Sequence, residues 1–164
     1  MKRVAVTGLG VISPVGNDVP TFWNALCSGT CGIGPITKFD ATDYPVKLAA
    51  EVRNFDPKQY MEKLDIMHSD VYTHFAMAAA CQAVADSGIA GTLDAERVGV
   101  YIGSGIGGIA TFMTEHSKLL NRGPRRVSPY FIPMMIPNMA SSMIAMRYHF
   151  HGPAMPMVTA CASG

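Results

Sequence analysis

Charge is scarce in this chain. Asp, Glu, Lys and Arg make up only 15% of its 164 residues and leave a formal net charge of +1. So even a balance excludes nucleic acid as a main partner, because phosphate binding wants a strong basic excess. No apolar run reaches the roughly 18 residues of a membrane span, so no membrane partner is expected. No secretory leader is visible either: Met1-Lys2-Arg3 runs straight into the strand-like Val4-Ala5-Val6, and a cytoplasmic location is the expectation. Cysteines occur only at 27, 31, 81 and 161. They do not read as a secreted disulfide framework, and free thiols are expected. Cys27 and Cys31 have the spacing of half a zinc site, but no second ligand pair follows, so no metal is expected.

What is abundant is interior. Hydrophobic residues reach 49%, enough for one domain over residues 1–164 with a real core and a large covered surface. Residues 3–8 read as an apolar strand ending in glycine. Asp18 caps a helix through Phe22, Trp23 and Leu26 that Gly29 ends. Residues 32–44 read as a loop with Pro35, and residues 46–52 as a strand. Ser69 or Asp70 starts a long Ala-rich helix with an expected apolar face of Tyr72, Phe75, Ala76, Ala79 and Ala83, closed by Gly88. A buried strand is expected over residues 97–103 and a helix from the glycines after it to about Leu120. Pro133 and Pro137 punctuate a loop, with Pro137 in the first turn of a helix reaching Arg147. His149 and His151 alternate as on a strand, and Met155-Pro156-Met157-Val158 reads as a short buried strand. Strands alternating with helices predict an α/β fold with a mostly parallel sheet covered by helices.

Two glycine clusters invite a nucleotide reading and fail it. Gly8-Leu9-Gly10 lacks the third glycine of a dinucleotide fingerprint, and Ser13-Pro14 interrupts where the helix should begin. Gly103-Ser104-Gly105-Ile106-Gly107-Gly108 has no Gly-Lys-Ser/Thr ending, so no cofactor is expected. The second cluster suits a backbone that passes close to something, with Ile106 its one bulky side chain. Seven methionines between 134 and 157 read as a Met-rich core, or else as lining for a fatty chain. The last candidate is a cysteine among small residues, Thr159-Ala160-Cys161-Ala162-Ser163-Gly164. Small neighbours let a carbonyl reach sulfur, and a helix starting there would favour the thiolate.

Four segments together resemble the β-ketoacyl-acyl carrier protein synthases, and most of all the type II elongating enzymes of bacterial fatty acid synthesis. They are Val6-Thr7-Gly8-Leu9-Gly10-Val11-Ile12-Ser13-Pro14-Val15-Gly16-Asn17, residues 103–108, Gly123-Pro124-Arg125-Arg126-Val127-Ser128-Pro129, and residues 159–164. The resemblance runs in order over the whole chain. It implies a thiolase-like fold, of which this chain matches the N-terminal half and the first residues of the catalytic helix. It implies that Cys161 takes an acyl group from acyl carrier protein and that a decarboxylated malonyl unit then attacks it. It also implies that the Cys161 N–H helps form the oxyanion hole, that Ile106 gates the acyl pocket, and that Phe131 lines that pocket across a homodimer interface. Arg125 and Arg126 match a basic patch that meets the acidic carrier.

The family's two downstream histidines and lysine do not occur before residue 164, and His149 and His151 do not match them. The expectation is therefore that these residues alone do not condense and leave an apolar face uncovered. Asp65-Ile66-Met67-His68-Ser69-Asp70 also carries little of the positive charge usual before the long helix, and Ser141-Ser142-Met143 and Arg147-Tyr148-His149 are unusual for their segment. A polyketide-type synthase or a thiolase using the same cysteine are the alternatives within the superfamily. A non-catalytic acyl-channel subunit is the alternative outside catalysis, and the retained Cys161 counts against it.

Overall fold

The computed structural model describes residues 3–163. Met1, Lys2 and Gly164, the ends of the first expected strand approach and of the cysteine motif, lie outside the described residues. Six helices and four strands follow in the order α1 (Val19–Cys27), β1 (Ile33–Pro35), β2 (Leu48–Ala50), α2 (Lys63–Met67), α3 (Val71–Ser87), β3 (Val100–Gly103), α4 (Ile109–Arg122), α5 (Phe131–Met135), α6 (Met139–Tyr148) and β4 (Ala154–Met157) among the described residues. The caps act where the sequence puts them. The Asp18 carboxylate accepts from the Thr21 N–H at 2.7 Å, a bond worth about 1 kcal/mol. Gly88 closes α3 in the left-handed conformation.

The parallel expectation survives as one pair: β3 lies parallel to β4 with Val100 opposite Ala154 and Gly103 opposite Met157. The loop expected over residues 32–44 begins with β1, which pairs antiparallel with β2. Residues 3–8 form no described strand. Just after it the backbone is tied to α3, since the Leu9 N–H donates to Asp86 at 2.9 Å and the Val11 N–H to Gln82 at 3.1 Å. A Cβ on Gly8 or Gly10 would collide with the carbonyls of Ala83 and Ala79. Those glycines therefore serve close approach to a helix, not phosphate. Val4 and Val6, 94% and 79% exposed, are left with no apolar cover.

The core lies between α3, α6 and β3. Met61, Met77, Val100, Ile144 and Ala145 are its buried centre, with Ile102, Met143, Tyr148 and Phe150 packed around them. This corrects three expectations. The buried face of α3 is Thr73, His74, Met77 and Ala78. The expected face is instead half-exposed, and Tyr72, Phe75, Ala76, Ala79 and Ala83 line an open groove of about 480 Å³. None of the seven late methionines is fully buried, and Met146, Met155 and Met157 are exposed. β3 buries only Val100 and β4 buries nothing, because α6 packs on this strand pair but covers it only in part.

Two proline expectations also shift. Pro133 sits inside α5, at its third residue, where the absent N–H had no intrahelical acceptor to lose. Pro137 precedes α6, which Asn138 begins. His149 is not on a strand: it ends α6 in a left-handed conformation at φ 53°, and His151 turns out to meet Glu96 at 3.0 Å.

His74 is the buried titratable group of this core. Its Nε2 lies 3.2 Å from the Ile66 carbonyl and 3.1 Å from the Ser69 hydroxyl. The carbonyl can only accept, so Nε2 carries the proton of the neutral ring. Burial holds the imidazole below its ordinary pKa, against the opposing pull of the Ile66 carbonyl and Asp70. The unfolded chain therefore takes up a proton near pH 6.5 that the folded chain takes up only at lower pH. Stability should be full above that value and fall as pH drops through it towards the folded pKa. Urea titrations of the full-length protein between pH 7.5 and 5.5, with buffers chosen on the order of half a unit apart, should show this decline. His74→Gln should flatten it, and an unchanged slope would show that His74 is not its source.

Candidate functional site

β4 ends at Met157, and the chain then enters a single 3-10 turn, Ala160–Ala162. Cys161 is in that turn, exposed and free. Ala160 before it has φ 50°, a left-handed backbone that costs a non-glycine residue roughly 1–2 kcal/mol. The turn is held by the Thr159 N–H, which donates to the Ser163 hydroxyl at 2.9 Å. Among the described residues the Cys161 N–H donates to no acceptor, so that donor is open to an incoming oxygen.

The glycine-rich segment after β3 packs on both sides. At its start, a Cβ on Gly103 would run into the Ser163 carbonyl oxygen. At its end, a Cβ on Gly107 or Gly108 would strike the carbonyls of Met135 and Met134 in α5. Gly107 has φ 81°, and the Gly108 N–H donates to the Met135 carbonyl at 2.8 Å. The segment is thus a backbone junction between the cysteine turn and the helix that begins with Phe131. Ile106 stands on it, 66% exposed, while the Ser104 hydroxyl closes the loop by accepting from the Gly107 N–H at 3.0 Å. Phe131 is half-buried, its ring 6.2 Å from that of Phe112.

Asp70 ties this junction to the long helix. It caps α3 through the Tyr72 N–H, and its other oxygen accepts from the Thr111 N–H at 2.9 Å and the Thr111 hydroxyl at 2.6 Å. The sequence marks Asp70 only as a cap; its second partner is 41 residues away. Arg125 and Arg126 occupy an exposed 3-10 turn, Pro124–Arg126, between α4 and α5. Glu115 was missed altogether. It is 5% exposed, and its carboxyl is held below the ordinary range by Lys118 first and then by the Ser128 N–H. The expected lack of positive charge over residues 65–70 has a structural counterpart. There the His68 ring stacks on Tyr130, with ring centroids 3.7 Å apart.

α4 is inverted. Its buried residues are Thr111 and Glu115, while Ile109, Phe112, Met113 and Leu120, at helical spacing, are exposed. Cys27 and Cys31 are both exposed and free. No group of metal-ligating side chains gathers among the described residues, and no described helix is long and apolar enough to cross a membrane.

The family model described as "Beta-ketoacyl synthase, N-terminal domain" matches residues 1–164. The "3-oxoacyl-[acyl-carrier-protein] synthase 2" of Coxiella burnetii is 49% identical over 99% of this chain and 40% of its own length. The protein of the same name from Staphylococcus aureus is 44% identical over 99% and 40%. The chain therefore spans about 40% of the length of the curated relatives it matches. Among solved structures, the ishigamide ketosynthase/chain length factor superposes with a TM-score of 0.84 at 27% identity, over 94% of this chain and 39% of that one. A β-ketoacyl synthase from Burkholderia phymatum superposes with a TM-score of 0.82 at 23% identity, over 100% and 41%, which bears on the fold alone. The fold is the expected thiolase-like one, and the chain belongs to the β-ketoacyl synthase family, whose N-terminal domain it carries.

Proposed function

We propose that the full-length protein containing this chain is a β-ketoacyl-acyl carrier protein synthase of fatty acid biosynthesis, and that Cys161 is its nucleophile. The thiolate attacks the thioester carbonyl of an acyl carrier protein. A new carbon–sulfur bond forms, the old one breaks, and the carrier thiol leaves with a proton. Malonyl carrier protein then loses carbon dioxide, and its carbanion attacks the acyl-cysteine carbonyl. The carbon–carbon bond forms, the Cys161 sulfur departs, and the product is two carbons longer. The open Cys161 N–H donates to the oxyanion in both steps. Ile106 and Phe131 shape the acyl channel, and decarboxylation draws on groups in the rest of the protein.

The observation that carries this reading is the junction. One glycine segment touches the turn of the exposed cysteine at one end and the Phe131 helix at the other. The 49% identity to a relative named as an acyl-carrier-protein synthase, against 27% to a ketosynthase/chain length factor, favours fatty acid over polyketide synthesis.

The same reading makes the protein a homodimer. What supports it is the exposed apolar stripe of α4, which buries polar groups in its own chain and offers Phe112 and Met113 outward. The exposed turn of Arg125 and Arg126 is the docking point for the acidic carrier. Full-length protein incubated with acyl and malonyl carrier proteins should yield the elongated product and sediment as a dimer. Arg125→Glu with Arg126→Glu should raise KM for the carrier substrate on the order of tenfold or more and leave acylation by a small thioester intact. Unchanged carrier affinity would remove the two arginines from the interface.

A further inference from the structure

A buried carboxylate is costly unless both oxygens are engaged. In Glu115 both are. One oxygen meets the Lys118 ammonium at 2.5 Å, and the other accepts from the Ser128 N–H at 2.7 Å. The two bonds do different work. Lys118 lies on the same helix, less than a turn away, so that bond restrains no loop. Ser128 lies beyond the turn that follows α4, so the second bond pins the loop to the helix.

The loop's other hydrogen bonds among the described residues are local, and Tyr130 at its end stacks on His68. The loop leaves α4 through Gly123 at φ 81° and passes through the 3-10 turn that displays Arg125 and Arg126. It then reaches Ser128, whose hydroxyl accepts from the Tyr130 N–H at 3.1 Å just before Phe131 opens α5. Ser128 is therefore the fixed point at the far end of the turn that carries the two arginines.

We propose that Glu115 is the positioning residue of this loop: by holding Ser128 it sets the direction in which Arg125 and Arg126 face an acidic acyl carrier. The inference rests on the carrier reading above.

The test uses the full-length enzyme and two forms of one substrate, a short acyl group on acyl carrier protein and the same group on N-acetylcysteamine. Glu115→Ala should raise KM for the carrier form about fivefold to tenfold, the loss expected for one ordinary hydrogen bond, since the carboxylate acts on the arginines only through the loop. It should leave kcat and the carrier-free reaction within about twofold. Glu115→Gln keeps an oxygen for Ser128 and should recover most of the loss. If the alanine variant does not fold, Glu115→Asp retains the charge but draws it back from Ser128, and carries the same comparison. An equal loss on both substrates, or none on either, overturns the positioning role. The double arginine variant in the same assay separates the two ideas. If it weakens the carrier substrate while Glu115 variants do not, only the positioning role falls; if it has no effect, the carrier reading falls with it.

Discussion

Cys161→Ala should abolish acyl transfer by the full-length protein, with a loss on the order of ten-thousand-fold or more. The substitution removes one sulfur from an exposed turn and asks nothing new of the backbone, since alanine already flanks the position on both sides. Loss of activity would therefore report chemistry rather than misfolding. Mass analysis after incubation with acyl carrier protein should place the acyl adduct on Cys161 in the parent and nowhere in the variant. Exposure alone would not predict this selectivity, because Cys27 and Cys31 are exposed as well. A cysteine-directed synthase inhibitor should accordingly label Cys161 ahead of Cys27, Cys31 and Cys81. Equal labelling of all four, or acylation that survives in the alanine variant, would end the assignment.

The second large effect comes from a residue with no side chain. In Gly103→Ala the new methyl would occupy the place of the Ser163 carbonyl oxygen. The obstacle is backbone, so no rotamer change relieves it. Gly103 is also held in register opposite Met157, and the Ser104 N–H donates to the Met157 carbonyl at 3.1 Å. The strand pair resists moving, and the cysteine turn must give way. A misplacement of about 1 Å at a reacting group costs on the order of a hundredfold in rate, so kcat/KM should fall by about that factor. Gly105→Ala is the control. A Cβ there meets only the Ala160 carbonyl oxygen, at 4.0 Å, an ordinary contact, and activity should stay near that of the parent. Equal damage from both, or none from Gly103→Ala, would mean that this close approach does not position the thiol.

The helices were legible because their signals are local. Asp18, Asp70 and Gly88 act within a turn of where they stand. Strand character is not local in the same way. Val4 and Val6 look like a strand, yet a strand exists only beside a partner, and a few residues on the Leu9 and Val11 N–H groups donate to side chains of α3 instead. The buried face of α3 was hidden because alanine looks apolar on every side, so Thr73 and His74 could be the ones turned inward. Glu115 carries no local signal in the sequence; only the Ser128 N–H, 13 residues on, gives the glutamate its place. The glycine segment signals close approach in the sequence, but the objects it approaches, α5 and the cysteine turn, are distant in sequence. Cys161 and the motifs around it stood out because small residues in a fixed order are themselves a sequence pattern.

The left-handed backbone at Ala160 sets a rule for redesign. Branched side chains are barred next to the sulfur by torsion, whatever room the substrate would leave. Under the proposed function, attempts to broaden acyl preference have little freedom at residue 160, and Gly103 is closed to them by contact. Ile106, solvent-facing on its loop, is where variation costs the scaffold least.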